Sequence, residues 1–201
     1  MNQKLIAQGA EAKILLSENK IIKNRIEKKY RHPEIDKKIR KKRTRTEGKI
    51  LEKAHTLINS PKPITIDETT QNIIMPYING KKLSENLESL NYQKICKIIG
   101  EKIAKLHDHN IIHGDLTTSN MILNQEKDII FIDFGLSFIS SRIEDKAVDL
   151  HLIKEALEAK HFTIHKEAEK IILQSYNSKD KEKIINQLKK VELRGRYKQA
   201  V

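Results

Sequence analysis

His113-Gly114-Asp115-Leu116-Thr117-Thr118-Ser119-Asn120, followed thirteen residues after its end by Asp133-Phe134-Gly135, is the stretch on which the reading of this 201-residue chain turns. It sets a carboxylate, an amide and a second carboxylate in fixed order, each piece beside an apolar run: Ile111-Ile112 before His113, and Ile129 to Ile132 before Asp133. Short apolar runs bounded by polar residues read as buried strands, and strands that end in such residues present them at the mouth of a cleft. Phosphoryl transfer asks a protein for positioning and charge neutralisation more than for covalent chemistry. On that logic Asp115 faces the acceptor oxygen as the catalytic carboxylate, while Asn120 and Asp133 hold magnesium. Either piece alone is a weak signal; the two together, in this order and behind a hydrophobic helix, are a strong one.

The spacing is that of the protein-kinase catalytic loop and metal-binding tripeptide, so the rest of an ATP site should lie upstream. Lys23 closes the apolar run Ile21-Ile22 and follows Gly9 by fourteen residues, which makes it the candidate for the lysine on the nucleotide phosphates. Glu47, in the helix that follows, is the choice for its partner, with Glu52 a little over one turn further on as the alternative. Ala7, Gln8, Gly9, Ala10, Glu11 and Ala12 occupy the place of the phosphate-covering loop. That loop departs from an ordinary kinase, because Gly9 is the sole glycine before Gly48 and Glu11 brings a negative charge near the nucleotide unless it points outward. Adenine should stack near Met75, at the end of an apolar run, and bond the backbone of residues 76–78. Proline has no N–H, so the donor there is Tyr77 or Ile78. No Ala-Pro-Glu follows Asp133; the chain enters a helix about a dozen residues on, and 66 residues follow Gly135, too few for the large helical platform of ordinary kinases.

Working outward, residues 4–23 alternate short apolar runs with polar breaks and read as two or three antiparallel strands. A charged helix with a thin apolar stripe runs from Pro33 to about Asn59, ended by Pro61 and Pro63, and two strands joined by a polar turn follow up to Gly80. Residues 91–109 carry Ile95, Ile98, Ile99, Ile103 and Leu106 at helical spacing. Residues 147–174 and 180–193 read as two further helices. Strands first and helices after make an α+β chain with a minimal two-lobed kinase-like fold, a small antiparallel sheet lobe over residues 1–78 and a reduced helical lobe over 79–201.

The 39 Lys and Arg against 27 Asp and Glu give a net charge of +12, and it is unevenly placed. Residues 20–49 hold 14 basic and 4 acidic side chains, residues 179–201 hold 8 and 3, and the remainder is slightly acidic. Charge so concentrated attracts polyanions, nucleic acid first. Tyr30 and Tyr197 are the only aromatics in those segments, so backbone or shape recognition fits better than base readout. No run approaches eighteen apolar residues and the first residues have charges scattered through them, so neither a membrane span nor a secretory signal is expected. One cysteine, Cys96, cannot make an intramolecular disulfide and reads as a small buried side chain in a reducing, cytoplasmic compartment.

Taken together, QGAEA (8–12), KKYRHPEID (28–36), RTRTEGKIL (43–51), HGDLTTSNM (113–121), IDFGLSFIS (132–140), EDKAVDL (144–150) and LRGR (193–196) resemble the signatures of one family across the whole chain. This is the small atypical serine/threonine kinase and ATPase of the KEOPS (EKC) complex, known in animals as PRPK and related to RIO kinases. The resemblance implies a cytoplasmic, archaeal subunit that binds ATP and Mg2+ through Lys23, Glu47, Asp115, Asn120 and Asp133. It implies as partners the other KEOPS subunits, chiefly the subunit that installs threonylcarbamoyl on tRNA adenosine 37 and a small bridging subunit. The basic segment 20–49 and the terminal tail then acquire tRNA or the adjoining subunits as partners. The family tail is usually richer in Lys and Arg than Gln199-Ala200-Val201, which weakens the expected tail contact.

Two other classes share part of the pattern. Small-molecule phosphotransferases of the aminoglycoside and choline type carry the same His-x-Asp loop, but they need a larger acid-lined helical lobe than this chain holds. A non-catalytic tRNA-binding module of kinase shape would be expected to have lost at least one of Lys23, Asp115, Asn120 and Asp133, and all four are present.

Overall fold

Alternating polar and apolar residues with Glu18-Asn19 between them build the opening hairpins of the computed structural model, which describes residues 3–198. Strands β1 (Lys4–Gln8), β2 (Ala12–Ser17) and β3 (Lys20–Arg25) form an antiparallel meander. Glu18 and Asn19 both take positive φ, 47° and 62°, the backbone that a two-residue turn needs if it is to match strand twist. Strands β4 (Thr65–Asp67) and β5 (Asn72–Pro76) complete a five-stranded sheet in the order β1-β2-β3-β5-β4, with Lys23 opposite Ile73.

Helix α1 (Pro33–Ile58) starts with proline and with Glu34 and Asp36 in its first turn, all suited to a helix N-terminus. Asp36 is buried between Arg40 (2.6 Å) and Arg31 (3.5 Å). The helix stops one step before the prolines expected to end it, at Asn59, whose φ of 57° leaves the helical region. Lys102 Nζ then donates to the Ile58 carbonyl at 2.8 Å, filling one of the acceptors a helix C-terminus leaves open.

The second half opens with β6 (Gly80–Lys82) and the single turn α2 (Leu83–Asn86), followed by α3 (Tyr92–Asp108), β7 (Ile111–Ile112), β8 (Met121–Asn124) and β9 (Ile129–Phe131). Strands β6, β8 and β9 form one small sheet; β7 pairs with β10 (Phe138–Ile139) in another. Helices α4 (Ile143–Lys160), α5 (His165–Ser175) and α6 (Lys181–Lys198) follow. The chain enters α4 at Ile143, ten residues after Asp133 and close to the expected dozen. One correction arises here: the single helix expected over 147–174 is two. No glycine or proline marks that break. His161 leaves the helix at φ −132° and turns its ring inward, where Nε2 lies 3.0 Å from Thr118 Oγ1. Among the described residues no helix is long and apolar enough to cross a membrane.

The hydrophobic core is continuous from α1 through α3 to the helices behind it. Ile50, Leu51, Ala54 and Ile58 of α1 share it with Ile99, Ile103 and Leu106 of α3 and with Phe131 and Phe134. Cys96 is fully buried there, and desolvation pushes its thiol up to about 12, so it is an inert filler. Helices α3 and α5 pack closely at Gly100, where a Cβ would sit 2.4 Å from the Ile172 carbonyl oxygen. Gly100→Ala is therefore expected to destabilise the fold by about 1–3 kcal/mol through overpacking, read as a lower urea midpoint at unchanged m; an unchanged midpoint would mean that the two helices part freely.

Candidate active site

Side chains two apart on a strand share a face, so β3 delivers both Lys23 and Arg25 to the same side of the sheet. Both are buried, at 6% and 4% exposure. Glu47, near the middle of α1, meets them with one oxygen each: Lys23 Nζ to Oε1 is 2.6 Å and Arg25 Nη2 to Oε2 is 2.5 Å. Glu52 faces solvent, which settles the choice between the two glutamates. Lys23 Nζ also reaches Asp133 Oδ1 at 2.6 Å, so one ammonium bridges the helix and the Asp133-Phe134-Gly135 tripeptide. Burial works to lower the Lys23 pKa, but the charges of Glu47 and Asp133 outweigh it and hold the group above the ordinary lysine value. Burial likewise works to raise Asp133, and the neighbouring Lys23 ammonium with the Gly135 N–H holds it below the usual carboxylate range. Asp133 sits at φ 60°, a backbone region that aspartate tolerates better than most residues.

The loop from His113 to Asn120 is pinned from behind. Asp149 of α4 accepts the backbone N–H groups of His113 (2.8 Å) and Gly114 (2.9 Å), and His107 Nε2 lies 3.2 Å from it. The other nitrogen of His107 is 2.8 Å from the Tyr176 hydroxyl, so a buried polar chain runs from α5's end to the loop. His113 accepts the Asp115 N–H on Nδ1 at 3.3 Å and donates from Nε2 to the Ile132 carbonyl at 3.2 Å; burial holds its pKa below the ordinary histidine value, which suits the neutral ring this pairing assigns. Gly114 has φ +77° and a Cβ there would lie 2.4 Å from the Leu136 carbonyl oxygen, so the loop has room for glycine only. Asn120 Nδ2 donates to both the carbonyl (3.0 Å) and Oδ2 (2.8 Å) of Asp115. That leaves Asn120 Oδ1 and Asp133 Oδ2 without hydrogen-bond partners among the described residues, two hard oxygens of the type that magnesium prefers.

Above these groups lies a cleft of about 380 Å³ walled by residues 7–12, Lys23, Arg25, Asp115, Asp133 and Leu136. Gly9 N–H closes the loop's turn onto the Ala12 carbonyl at 3.0 Å. Glu11 lines the cleft and is paired with Arg43 of α1; burial works to raise its pKa, and the hydrogen bond and charge of Arg43 hold it below the ordinary glutamate value. Lys28 donates to the Ala10 carbonyl. Met75 is buried on β5, but neither it nor Tyr77 or Ile78 lines this cleft. The Tyr77 N–H is committed to the Asn19 carbonyl at 3.0 Å, which narrows the expected hinge donor to Ile78.

The structure thus brings Lys23, Glu47 and Asp133 into contact, places Asp115 and Asn120 in contact with each other, and leaves Met75, Tyr77 and Ile78 outside the lining of the cleft. Sequence reading missed Arg25, Arg43 and Asp149. Arg25 was signalled by its spacing of two from Lys23, and Asp149 lies in the EDKAVDL stretch without anything local to say what it holds.

The basic segment divides by the same geometry. Arg40, Arg43 and Arg45 are paired with Asp36, Glu11 and Glu68. Lys37, Lys38, Lys41 and Lys42 are exposed and make no ion pair among the described residues. The tail residues from Gly195 onward, expected to contact tRNA, lie outside the described side chains.

Residues 12–150 match the model of the RIO domain. The chain is 44% identical to the KEOPS complex subunit Bud32 of Pyrococcus abyssi over 98% of its own length and 97% of that protein's. It is 42% identical to a probable bifunctional tRNA threonylcarbamoyladenosine biosynthesis protein of Methanobrevibacter smithii, covering 96% of itself and 36% of that longer protein. In three dimensions it is similar to the Rio2 kinase of Chaetomium thermophilum, solved as an ADP/Mg2+-phosphoaspartate complex, with a TM-score of 0.62 at 17% identity over 96% of this chain and 70% of that one. This likeness shows a kinase-like fold.

Proposed function

The chain belongs to the RIO domain family, among the relatives of the KEOPS subunit Bud32, and from that premise we propose that it binds MgATP between a sheet lobe (1–78) and a helical lobe (79–201) and transfers or hydrolyses its γ-phosphoryl group. The observation that carries this reading is the Lys23 ammonium held between Glu47 and Asp133, 2.6 Å from each, with the Asp115–Asn120 pair on the same cleft. Bound MgATP supplies the transferable phosphoryl group and the metal charge. Asn120 and Asp133 offer the oxygens to hold Mg2+, and Lys23 is long enough to move from Asp133 to a phosphate oxygen. Asp115 accepts the proton of the attacking hydroxyl, from a serine or threonine or from water, while its backbone is fixed by His113. Ile78 supplies the N–H for adenine beside Met75, and residues 7–12 cover the phosphates. Titration calorimetry with MgATP and a phosphate-release assay, alone and with partner subunits, test this; absence of MgATP binding in both settings overturns it.

The name of the Pyrococcus abyssi relative supports membership of a KEOPS complex; in this reading the chain works in the cytoplasm, beside a threonylcarbamoyl-transferring subunit and a small bridging subunit. The name of the Methanobrevibacter smithii relative supports a role in making threonylcarbamoyladenosine in tRNA, which this reading sets at adenosine 37. In this reading tRNA meets the unpaired lysines of α1. Lys37→Gln, Lys38→Gln, Lys41→Gln and Lys42→Gln combined should weaken tRNA binding and flatten the log-salt slope by up to about 0.9 per lost phosphate contact, with ATP hydrolysis by the isolated chain nearly unchanged. Fluorescence anisotropy over a salt series reads both quantities; unchanged affinity and slope, alone and in the complex, would remove tRNA from this surface.

A further inference from the structure

We infer that Arg25 is a positioning residue of the ATP site: it holds the second oxygen of Glu47 and so leaves Lys23 available to the nucleotide. The inference rests on the MgATP reading and adds a residue to it. Glu47 is 2% exposed, and a buried carboxylate with one cation holds that cation tightly. Here it has two. Arg25 takes Oε2 at 2.5 Å and Lys23 takes Oε1 at 2.6 Å, and the four groups Lys23, Arg25, Glu47 and Asp133 carry equal numbers of positive and negative charges. Were Asp133 to hold Mg2+, Lys23 would lose that partner and be free to turn toward phosphate. With Arg25 in place, the charge of Glu47 stays compensated through this exchange and its carboxylate keeps its orientation.

The surroundings of Arg25 suit that task. Its backbone pairs with Ala12, the end of the phosphate-covering stretch, and its N–H donates to the Gln71 carbonyl at 3.2 Å. The guanidinium lines the cleft beside Lys23, and Nη2 lies 3.8 Å from where a Cβ on Gly135 would stand. Nε is buried with no partner, so Glu47 is the one side chain among the described residues that holds the group. A lysine at this position offers a point charge without the planar fork and restores orientation only in part.

The test is a double-mutant cycle read by MgATP affinity from calorimetry and by KM and kcat from phosphate release. Arg25→Gln is expected to weaken MgATP binding and raise KM on the order of tenfold or more through misplacement of Lys23, with Arg25→Lys recovering part of the loss. Added to Glu47→Gln, the Arg25→Gln change should cost less than about twofold further, because residues that act through one another are not additive. Thermal unfolding of each variant is followed in parallel, and Arg25→Lys carries the test if Arg25→Gln does not fold. Near-normal KM in Arg25→Gln overturns the inference while leaving the MgATP reading intact. A full tenfold loss persisting in the Glu47→Gln background overturns it as well, since the guanidinium would then contact phosphate itself. No MgATP binding by the unaltered chain overturns both.

Discussion

Asp115→Ala will lower turnover by about a hundredfold or more while MgATP binding survives, and Asp133→Ala will lower turnover and binding together, on the scale that losing one general base or one metal ligand carries. The two carboxylates differ in what they touch. Asp115 is bonded to Asn120 Nδ2 at 2.8 Å and to no cation among the described residues, so its removal leaves the charge balance around Lys23 intact. Asp133 holds Lys23 at 2.6 Å, and its removal takes away one of the oxygens proposed to hold Mg2+ and one partner of a buried ammonium at once. Alanine also fits the φ of 60° at position 133 less well than aspartate does. Asp133→Asn keeps that backbone tolerance and loses the charge, so it separates the two effects. Calorimetry with MgATP beside single-turnover phosphate release distinguishes the variants; near-normal turnover in Asp115→Ala would remove that residue from the chemistry.

A larger effect on stability is expected from Asp149→Ala, about 3–5 kcal/mol, because two backbone N–H groups and His107 lose their common buried acceptor. This is a substantial part of the total stability of an ordinary domain, about 5–15 kcal/mol. Asp149→Asn should rescue little. Its amide offers one oxygen where His113 and Gly114 present two donors, and its NH2 meets one of them head on. The measurement is a urea unfolding curve for each variant, with the Asp115 loop followed by amide exchange at His113 and Gly114. Protection of those two amides equal to that of the parent chain would show that the loop holds itself without Asp149.

The parts of the site that announced themselves in the sequence are those built by local chemistry. Lys23 closes an apolar run, Asp115 and Asn120 keep a fixed spacing, and Asp133 follows an apolar run; each can be read within a dozen residues. Glu47 was the choice with Glu52 as the alternative, and excluding Glu52 depends on which face of α1 meets β3. Arg25, Arg43 and Asp149 were not read as parts of the site because their partners lie 22, 32 and 36 residues away; of the three only Arg25 had a local cue, its spacing of two from Lys23. The strands of the opening sheet were legible from alternation and turn residues. The break at His161 was not, since what ends that helix is a contact with Thr118 in a distant loop.

Helix α1 carries Glu47 in its middle and is anchored beyond it, with Ile50, Leu51 and Ile58 in the core and its last carbonyl tied to Lys102. A swing of α1 that withdrew Glu47 from Lys23 would expose those three side chains. Each is worth about 1.5–3 kcal/mol of burial, so the withdrawn state lies about 5–9 kcal/mol uphill. At one decade per 1.4 kcal/mol, it holds fewer than about one molecule in a thousand at the lower bound and about one in a million at the upper. The Lys23–Glu47 ion pair is therefore formed in nearly every molecule. A swing of α1 is a costly way to break it, since the same movement would unpack the helix from the core.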